Sequence, residues 1–532
     1  MAERMLLDCT LRDGGYVNDW KFGHNNLVSI FERVVDAGVE FIEVGFLDER
    51  REFDIDRSIT PTTEGMDAIY SMLNKKSTQV VGMIDYGTCG LKNIKPCSES
   101  YLDAIRVIFK KHLREDALAF CAELKNMGYK VFAQLVSVTS YSDEEMLDLI
   151  RLANEVKPYA VSMVDTYGLM HQNNLKHYFD LLDKNLDPSI GMGYHGHNNF
   201  QMAYANCIEM LSYQTERMIL VDGSIYGMGK SAGNAPIELV AMHMNDVYGK
   251  QYHISQFLEA IDSNVMDFYT PSTWGYNMFF FLAASNDCHP NYVSDLMNKR
   301  TLSVKSINEL LGKLEGEKQL LYDKEYLERL YFEYQNNEVS DKTALEQLTQ
   351  KLSGKKILLL GPGSNVYKEK DQIKSFITQH DPIIISINFI PKDFQPDYIF
   401  LSNSKRYVQL ATALSQEEPD FEVIATSNVT KTSGQFDYTL NYSSLIDESA
   451  DIIDNSFIML LKVMARVGAG ELFLGGFDGY TGGANKNYIN PNMEYKFDEQ
   501  QADSVNAYVK KMLQRFGKEF KMTFITSSLY EK

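Results

Sequence analysis

The sequence predicts an α/β protein built from an N-terminal (β/α)8 barrel, a helical extension and a C-terminal Rossmann-like domain. Three observations carry this expectation. Short apolar runs alternate with amphipathic helical patterns eight times before residue 288, and polar clusters stand where several of those runs end. A second series of strands and helices then opens near residue 354. A doubly wound open sheet is the competing arrangement for the first part. At 532 residues the chain exceeds what one hydrophobic core serves; the expected divisions are 1–288, 289–353 and 354–532.

The expected barrel strands are 5–9, 41–47, 79–86, 104–110, 131–139, 160–167, 191–196 and 217–223. Between them lie helical patterns such as NNLVSIFERVVDAG, DEEMLDLIRLANEV and REDALAFCAELKNMG, the last stopping at Gly128 as a C-terminal cap. In GYHGHNNF, His195 and His197 are two apart on a strand, so their imidazoles leave on the same side. Two converging imidazoles can supply half of a divalent metal's protein ligands; alone they are as well explained as structural histidines.

Three other clusters agree with them. MLLDCTLRDGG delivers Arg12 and Asp13 after the first strand, and FIEVGF places Glu43 inside an apolar strand. MILVDGSIYGMGKSAGNAPIE is a strand followed by a glycine-rich loop that contains Gly229, Lys230, Gly233 and Asn234. Buried charges are costly unless paired or metal-bound. Barrel active sites collect at the carboxyl ends of the strands, where these clusters fall. Asp165 and Thr166 end the sixth strand at the level for substrate contact, or alternatively cap the next helix.

Residues 290–353 change to long charged helical patterns, read as a lid, a dimer element or a solvated linker. From KKILLLGPGSN onward the runs PIIISIN, DYIFLSN, FEVIATS and GELFLGGFDGY alternate with helices. The GPGS turn lacks the GxGxxG spacing, although its amides could hold a phosphate.

The net charge of −20 argues against nucleic acid or an anionic membrane as partner. Six scattered cysteines form no CxxC pair, no apolar leader opens the chain, and no run is long enough to span a bilayer. A cytoplasmic protein is expected.

With TLRDGG, FIEVGF, HGHNN and GMGKSAGNAPIE in order, the first 285 residues or so resemble the DRE-TIM metallolyases. This superfamily includes 3-hydroxy-3-methylglutaryl-CoA lyase, 4-hydroxy-2-oxovalerate aldolase and the Claisen-type synthases. The resemblance implies metal ligands at Asp13, His195, His197 and Asn234, with Arg12 and Glu43 as the signature arginine and glutamate. It implies a divalent cation, Mn2+ or Mg2+ with Zn2+ as alternative, that stabilises the enolate of a 2-oxo acid. Arg12 would neutralise the oxyanion and Glu43 would hold Arg12.

The sequence also departs from the family pattern. Gly14-Gly15-Tyr16 stands where synthases carry Gly-Glu-Gln, the loop lacks the CoA lyase's cysteine, and Tyr16 replaces the aldolase's histidine. The loop SAGNAPIE is most similar to that of the aldolase branch, which implies an aldolase acting on a pyruvate-type 2-oxo acid and an aldehyde, as a homodimer. Tyr16 is the first choice of general base; His289 and Tyr292, on a lid, and His112 and Lys230 are the others. Asp165, Thr166, Gly229, Lys230 and Gly233 are expected to meet substrate.

The C-terminal pieces LLGPGSN, ISINF, DYIFLSN and ELFLGGFDGY resemble sialyltransferase-like folds. That resemblance implies a nucleotide or nucleotide-sugar site and an aldehyde from sugar or surface-polysaccharide metabolism. The rival readings are a Claisen-type acyltransferase using acyl-CoA, and a nucleotide-sugar-binding transferase with an inactive barrel.

Overall fold

The computed structural model describes residues 3–270, 272–299, 301–414, 420–430, 436–447, 453–483, 487–489 and 499–531. It divides into two compact units, Met1–Pro290 and Asn291–Lys532.

In the first unit the apolar runs become β1 (Arg4–Asp8), β2 (Phe41–Leu47), β3 (Gln79–Asp85), β4 (Ala104–Phe109), β5 (Lys130–Leu135), β6 (Ala160–Asp165), β7 (Gly191–Gly196) and β8 (Ile219–Gly223). They follow one another around the sheet, all parallel, and a two-residue strand, Ile59–Thr60, is appended to β2. β1 bonds to β8 on one side and β2 on the other, which closes the barrel and excludes the open sheet. The surrounding helices bury one face each. Asp143–Val156 starts in a capping box between Ser142 and Glu145 and buries Met146, Leu149, Ile150 and Ala153. His24–Ala37 stops at Gly38 in the left-handed conformation, and Gly128 ends Arg114–Asn126 in the same way, two residues beyond it.

The barrel interior has two layers. Met5, Leu7, Phe41, Val81, Ala104, Phe132, Ala160 and Leu220 form an apolar floor. Two residues beyond Phe41, Ala104, Phe132, Ala160 and Leu220, on the same side by the period of two, stand Glu43, Arg106, Gln134, Ser162 and Asp222, and His195 joins them from β7, all buried. The switch from apolar to polar therefore occurs at one height around the barrel and lifts the chemistry to the carboxyl end.

The second unit begins with helices, among them Val304–Leu311, Lys324–Gln335 and Lys342–Leu352, followed by a seven-stranded parallel sheet. Its strands are β9 (Lys356–Leu360), β10 (Ile383–Ile387), β11 (Tyr398–Leu401), β12 (Glu422–Thr426), β13 (Tyr438–Leu440), β14 (Glu471–Gly475) and β15 (Lys521–Phe524). The spatial order is β13-β12-β11-β10-β9-β14-β15, with apolar clusters on both faces of the sheet. Among the described residues no helix is long and apolar enough to cross a membrane.

Gly45 interrupts β2 beside Glu43, where the register with β3 shifts. Its φ is +151°, and a Cβ there would stand 1.6 Å from the Ser58 carbonyl oxygen. Gly45→Ala is expected to lower stability by about 3 kcal/mol or more, read as the shift in chemical-denaturation midpoint.

Candidate active site

The site starts from the way β1 ends. The Asp8 carboxylate accepts the Thr10 amide (3.0 Å) and hydroxyl (2.8 Å), turning the chain into the short helix Thr10–Asp13. The Thr10 hydroxyl oxygen in turn accepts the Ile225 amide at 2.8 Å, which ties in the loop after β8. Burial, opposed by the Thr10 bonds, pushes the Asp8 carboxyl up to about 7. This turn carries Arg12 and Asp13 over the mouth. Arg12 Nε donates to Glu43 Oε2 at 2.6 Å, and Arg12 Nη1 lies 3.5 Å from Asp13 Oδ2.

His195 sits between two carboxylates. Its Nε2 is 3.2 Å from Asp13 Oδ2 and its Nδ1 is 2.9 Å from Asp222 Oδ2. His197 Nε2 is 3.7 Å from the same Asp13 oxygen, and the two imidazoles stand nearly perpendicular, at 89°. Arg106 fixes Asp222 from inside the barrel: Nη2 donates to Asp222 Oδ2 (2.5 Å) and Gln134 Oε1 (2.9 Å), while Nη1 is 3.4 Å from Glu43 Oε2. Gln134 Nε2 passes the chain on to Ser162 Oγ at 3.0 Å. Against burial, Arg106 and His195 hold the Asp222 carboxyl below its usual range, and Arg12 with the two histidines holds Asp13 well below it. An ionised Asp222 holds a proton on His195 Nδ1, and against burial the two flanking carboxylates raise the proton affinity of this imidazole. Burial pushes the His197 imidazole down to about 4, so this ring is neutral.

Asn234 lies opposite His197 in an isolated bridge. Its amide nitrogen donates to the Met228 carbonyl at 3.2 Å, which directs Oδ1 away. Asn234 Oδ1 and Asp13 Oδ2 are both buried and accept no hydrogen bond. Two imidazoles, a carboxylate and an amide oxygen without a donor form the kind of set that takes a hard divalent cation. The residues present fit the ion.

Other expected site residues fall as follows. Gly229 and Gly233 shape the loop: a Cβ on Gly229 would stand 2.3 Å from Asn234 Nδ2, and one on Gly233 would stand 2.1 Å from the Gly227 carbonyl oxygen. Tyr16 is partly exposed at the mouth, edge-on to Trp20 at 4.8 Å, with Lys230 Nζ 5.3 Å from its ring centre. Burial against its neighbours and the Asp13 charge push its phenol up to about 12, and burial lowers the Lys230 ammonium. Gly15 leaves room for Trp20, whose indole would meet a Cβ at 2.0 Å and which donates to the Arg12 carbonyl at 2.8 Å.

Both Asp165 oxygens are used by the chain, accepting the Leu169 and Met170 amides at 2.9 Å, and the Thr166 hydroxyl oxygen accepts the Ser137 amide at 2.9 Å. Burial and the Lys230 charge hold His289 below its ordinary value. His112 is exposed after β4. Tyr292 is buried in the second unit, where its hydroxyl donates to the Lys318 and Leu321 carbonyl oxygens. Sequence reasoning passed over Arg106, Asp222 and Cys9. The Cys9 thiol lies with Asp13 and His195 ligand atoms within 4.8 Å of one another, and burial keeps it protonated, donating to the Gly223 carbonyl at 3.3 Å. A charged residue inside an apolar run, as in AIRVIF and ILVDG, was the available signal.

Residues 4–265 match the HMGL-like family model. They form an HMGL-like domain. The chain is an enzyme of the class of lyases and aldolases. An oxaloacetate decarboxylase of Mycobacterium tuberculosis is 26% identical over 44% of this chain and 68% of its own length. A 4-hydroxy-2-oxovalerate aldolase of Marinomonas is 25% identical over 46% of this chain and 72% of its own. A solved N-terminal domain of a putative aldolase from Bacteroides vulgatus is 21% identical, covers 57% of this chain and 99% of that one, and has a TM-score of 0.48.

Arg106→Met removes the partner of two buried carboxylates and is expected to lower stability by about 3–5 kcal/mol in urea unfolding. On an exposed helix, Arg151→Met is expected to change it by no more than about 0.5 kcal/mol.

Proposed function

We propose that the barrel is a divalent-metal-dependent aldolase that makes or breaks the bond between the enolate of a pyruvate-type 2-oxo acid and an aldehyde. The observation that carries this is the approach of His195 and His197 to one Asp13 oxygen that accepts no hydrogen bond, with Asn234, its own Oδ1 unpartnered, bridged to His197. The relatives' names support it: oxaloacetate losing CO2 and a 4-hydroxy-2-oxo acid losing an aldehyde both leave the enolate of pyruvate. When bound, Mn2+ or Mg2+ supplies Lewis acidity toward the 2-oxo acid's carboxylate and keto oxygens.

The chain's own residues divide the remaining work. Arg12, locked by Glu43, places a guanidinium beside the oxygen that gains charge, a kind of contribution worth several kcal/mol in a dry site. Lys230 adds positive potential that draws in an anionic acid. Tyr16, whose phenol keeps its proton at neutral pH, donates to the alkoxide formed when an aldehyde is captured. His289, neutral beside Lys230, is the group left to accept the substrate hydroxyl's proton in the cleaving direction. Tyr292 takes no step, because its hydroxyl is spent on the second unit's carbonyls. Gly229 and Gly233 serve the substrate pocket indirectly, through the shape of the loop.

Pyruvate methyl protons are expected to exchange with deuterium in NMR only with Mn2+ or Mg2+ present, and not in His195→Ala. Metal binding without exchange, together with thiol release from an acyl-CoA, replaces the aldolase with an acyltransferase. Asp222→Asn is expected to weaken Mn2+ binding about 10–100-fold in a titration while the far-UV circular dichroism stays unchanged.

A further inference from the structure

The barrel mouth holds a fifth donor that the proposed ligand set leaves aside. Met5, Leu7 and Cys9 alternate into the barrel from β1 and its end. β1 pairs Leu7 with Phe41 of β2, so Cys9, two residues on, comes level with Glu43 and leaves the apolar floor for the polar layer. The Cys9 sulfur, an Asp13 carboxylate oxygen and a His195 ring nitrogen lie within 4.8 Å of one another, and all three side chains are buried. His197 Nε2 reaches the same carboxylate, 3.7 Å from Oδ2. That oxygen has no hydrogen-bond partner although Asp13 has no solvent exposure, which marks the point between these groups as a place for an ion.

The sulfur differs in kind from the donors around it. A hard ion such as Mg2+ takes oxygen ligands and keeps water, and has no use for a thiol. Zn2+ takes cysteine sulfur, histidine nitrogen and carboxylate oxygen together, four at a time in a tetrahedron. Cys9, Asp13, His195 and His197 supply four such ligands. The surroundings suit a thiolate as well as a thiol. Asn234 Nδ2 stands 3.8 Å from the sulfur and donates toward it, and an N–H donor favours a charged acceptor over a neutral one. The Gly223 carbonyl, which now accepts the thiol proton at 3.3 Å, is the one contact that a thiolate gives up. A tetrahedral shell filled by protein ligands is the mark of a closed site, whereas a catalytic one keeps a position open for water or substrate.

From this combination we infer that a thiophilic ion such as Zn2+ recruits Cys9 as its fourth ligand, beside Asp13, His195 and His197, and closes the barrel site against the 2-oxo acid. The inference rests on the metal site proposed above. Binding forms the metal–sulfur bond as the S–H bond breaks, the proton leaves to water, and no electron changes hands. Mg2+ or Mn2+ leaves the thiol protonated and keeps positions open for the substrate's two oxygens. Zn2+ is therefore an inhibitor of this chain, and Cys9 is the residue that sorts ions by softness.

The test uses the full chain with Co2+ as the spectroscopic stand-in for Zn2+. Visible ligand-field bands report that Co2+ is bound, and a near-ultraviolet charge-transfer band reports that a thiolate binds it. Wild type is expected to show both. Cys9→Ser and Cys9→Ala, each checked for an unchanged far-UV circular dichroism, are expected to keep the visible bands and lose the ultraviolet one. The Zn2+ concentration that displaces half of the bound Mn2+, read from the electron paramagnetic resonance of free Mn2+, is expected to rise at least about tenfold in both variants. Calorimetry is expected to find pyruvate binding to the Mn2+ form and to the Zn2+-loaded variants, and none to Zn2+-loaded wild type. Visible bands without the ultraviolet band in wild type overturn the inference and leave the metal site standing. So does an ultraviolet band that survives both variants, or pyruvate binding as tightly to the Zn2+ form of wild type as to the Mn2+ form. Absence of any Co2+ or Mn2+ binding overturns the metal site and this inference with it.

Discussion

The buried guanidinium of Arg106 is the constraint on which the barrel site depends. An arginine with no solvent exposure is tolerable only if every charge it brings is matched, and Asp222, Glu43 and Gln134 do the matching. Each of these acceptors has a second duty. Asp222 sets the proton on His195, and Glu43 anchors Arg12. One ion network therefore orients the proposed metal ligand His195 and the proposed oxyanion partner Arg12 together, and a change in it reaches both.

The network also ties the side chains of the mouth to one another. Its members project from five different strands and from the turn after β1, and the bonds between them run across the barrel as well as around it. A floor of packed apolar side chains beneath keeps water out, so the electrostatic interactions above it act at low effective dielectric. Rotamers fixed by charge, above a core fixed by packing, are what preorganisation requires.

Much of this was legible in the sequence. The eight strands announce themselves because parallel strands buried on both faces read as apolar runs. Arg12, Asp13, Glu43, His195, His197 and Asn234 stood out as polar residues at strand ends or inside such runs. The same criterion reaches Arg106 and Asp222, but each is a single charge in a short strand, and its partner lies on another strand, across the barrel. Pairing of that kind is tertiary and leaves no trace in spacing. Asp165 shows the reverse: its position suits a substrate ligand, yet the local loop claims both oxygens. Tyr292 reads as a lid residue by its place in the chain, while the second unit's helices take up its hydroxyl. In the second unit the GPGS turn reads as an anion cradle until Asp478, more than a hundred residues later in the chain, is seen to fill it.

The proposed metal ligands are drawn from both ends of the barrel's chain, Asp13 near the first strand and Asn234 beyond the last. The seam that joins β1 to β2 is also short, with two register partners. On the ribosome, β1 can find its other neighbour only after β8 has emerged, and Asn234 follows later still. The nascent chain is thus unable to assemble the proposed ligand set early in synthesis, and any choice of metal is deferred until the whole barrel has emerged and closed.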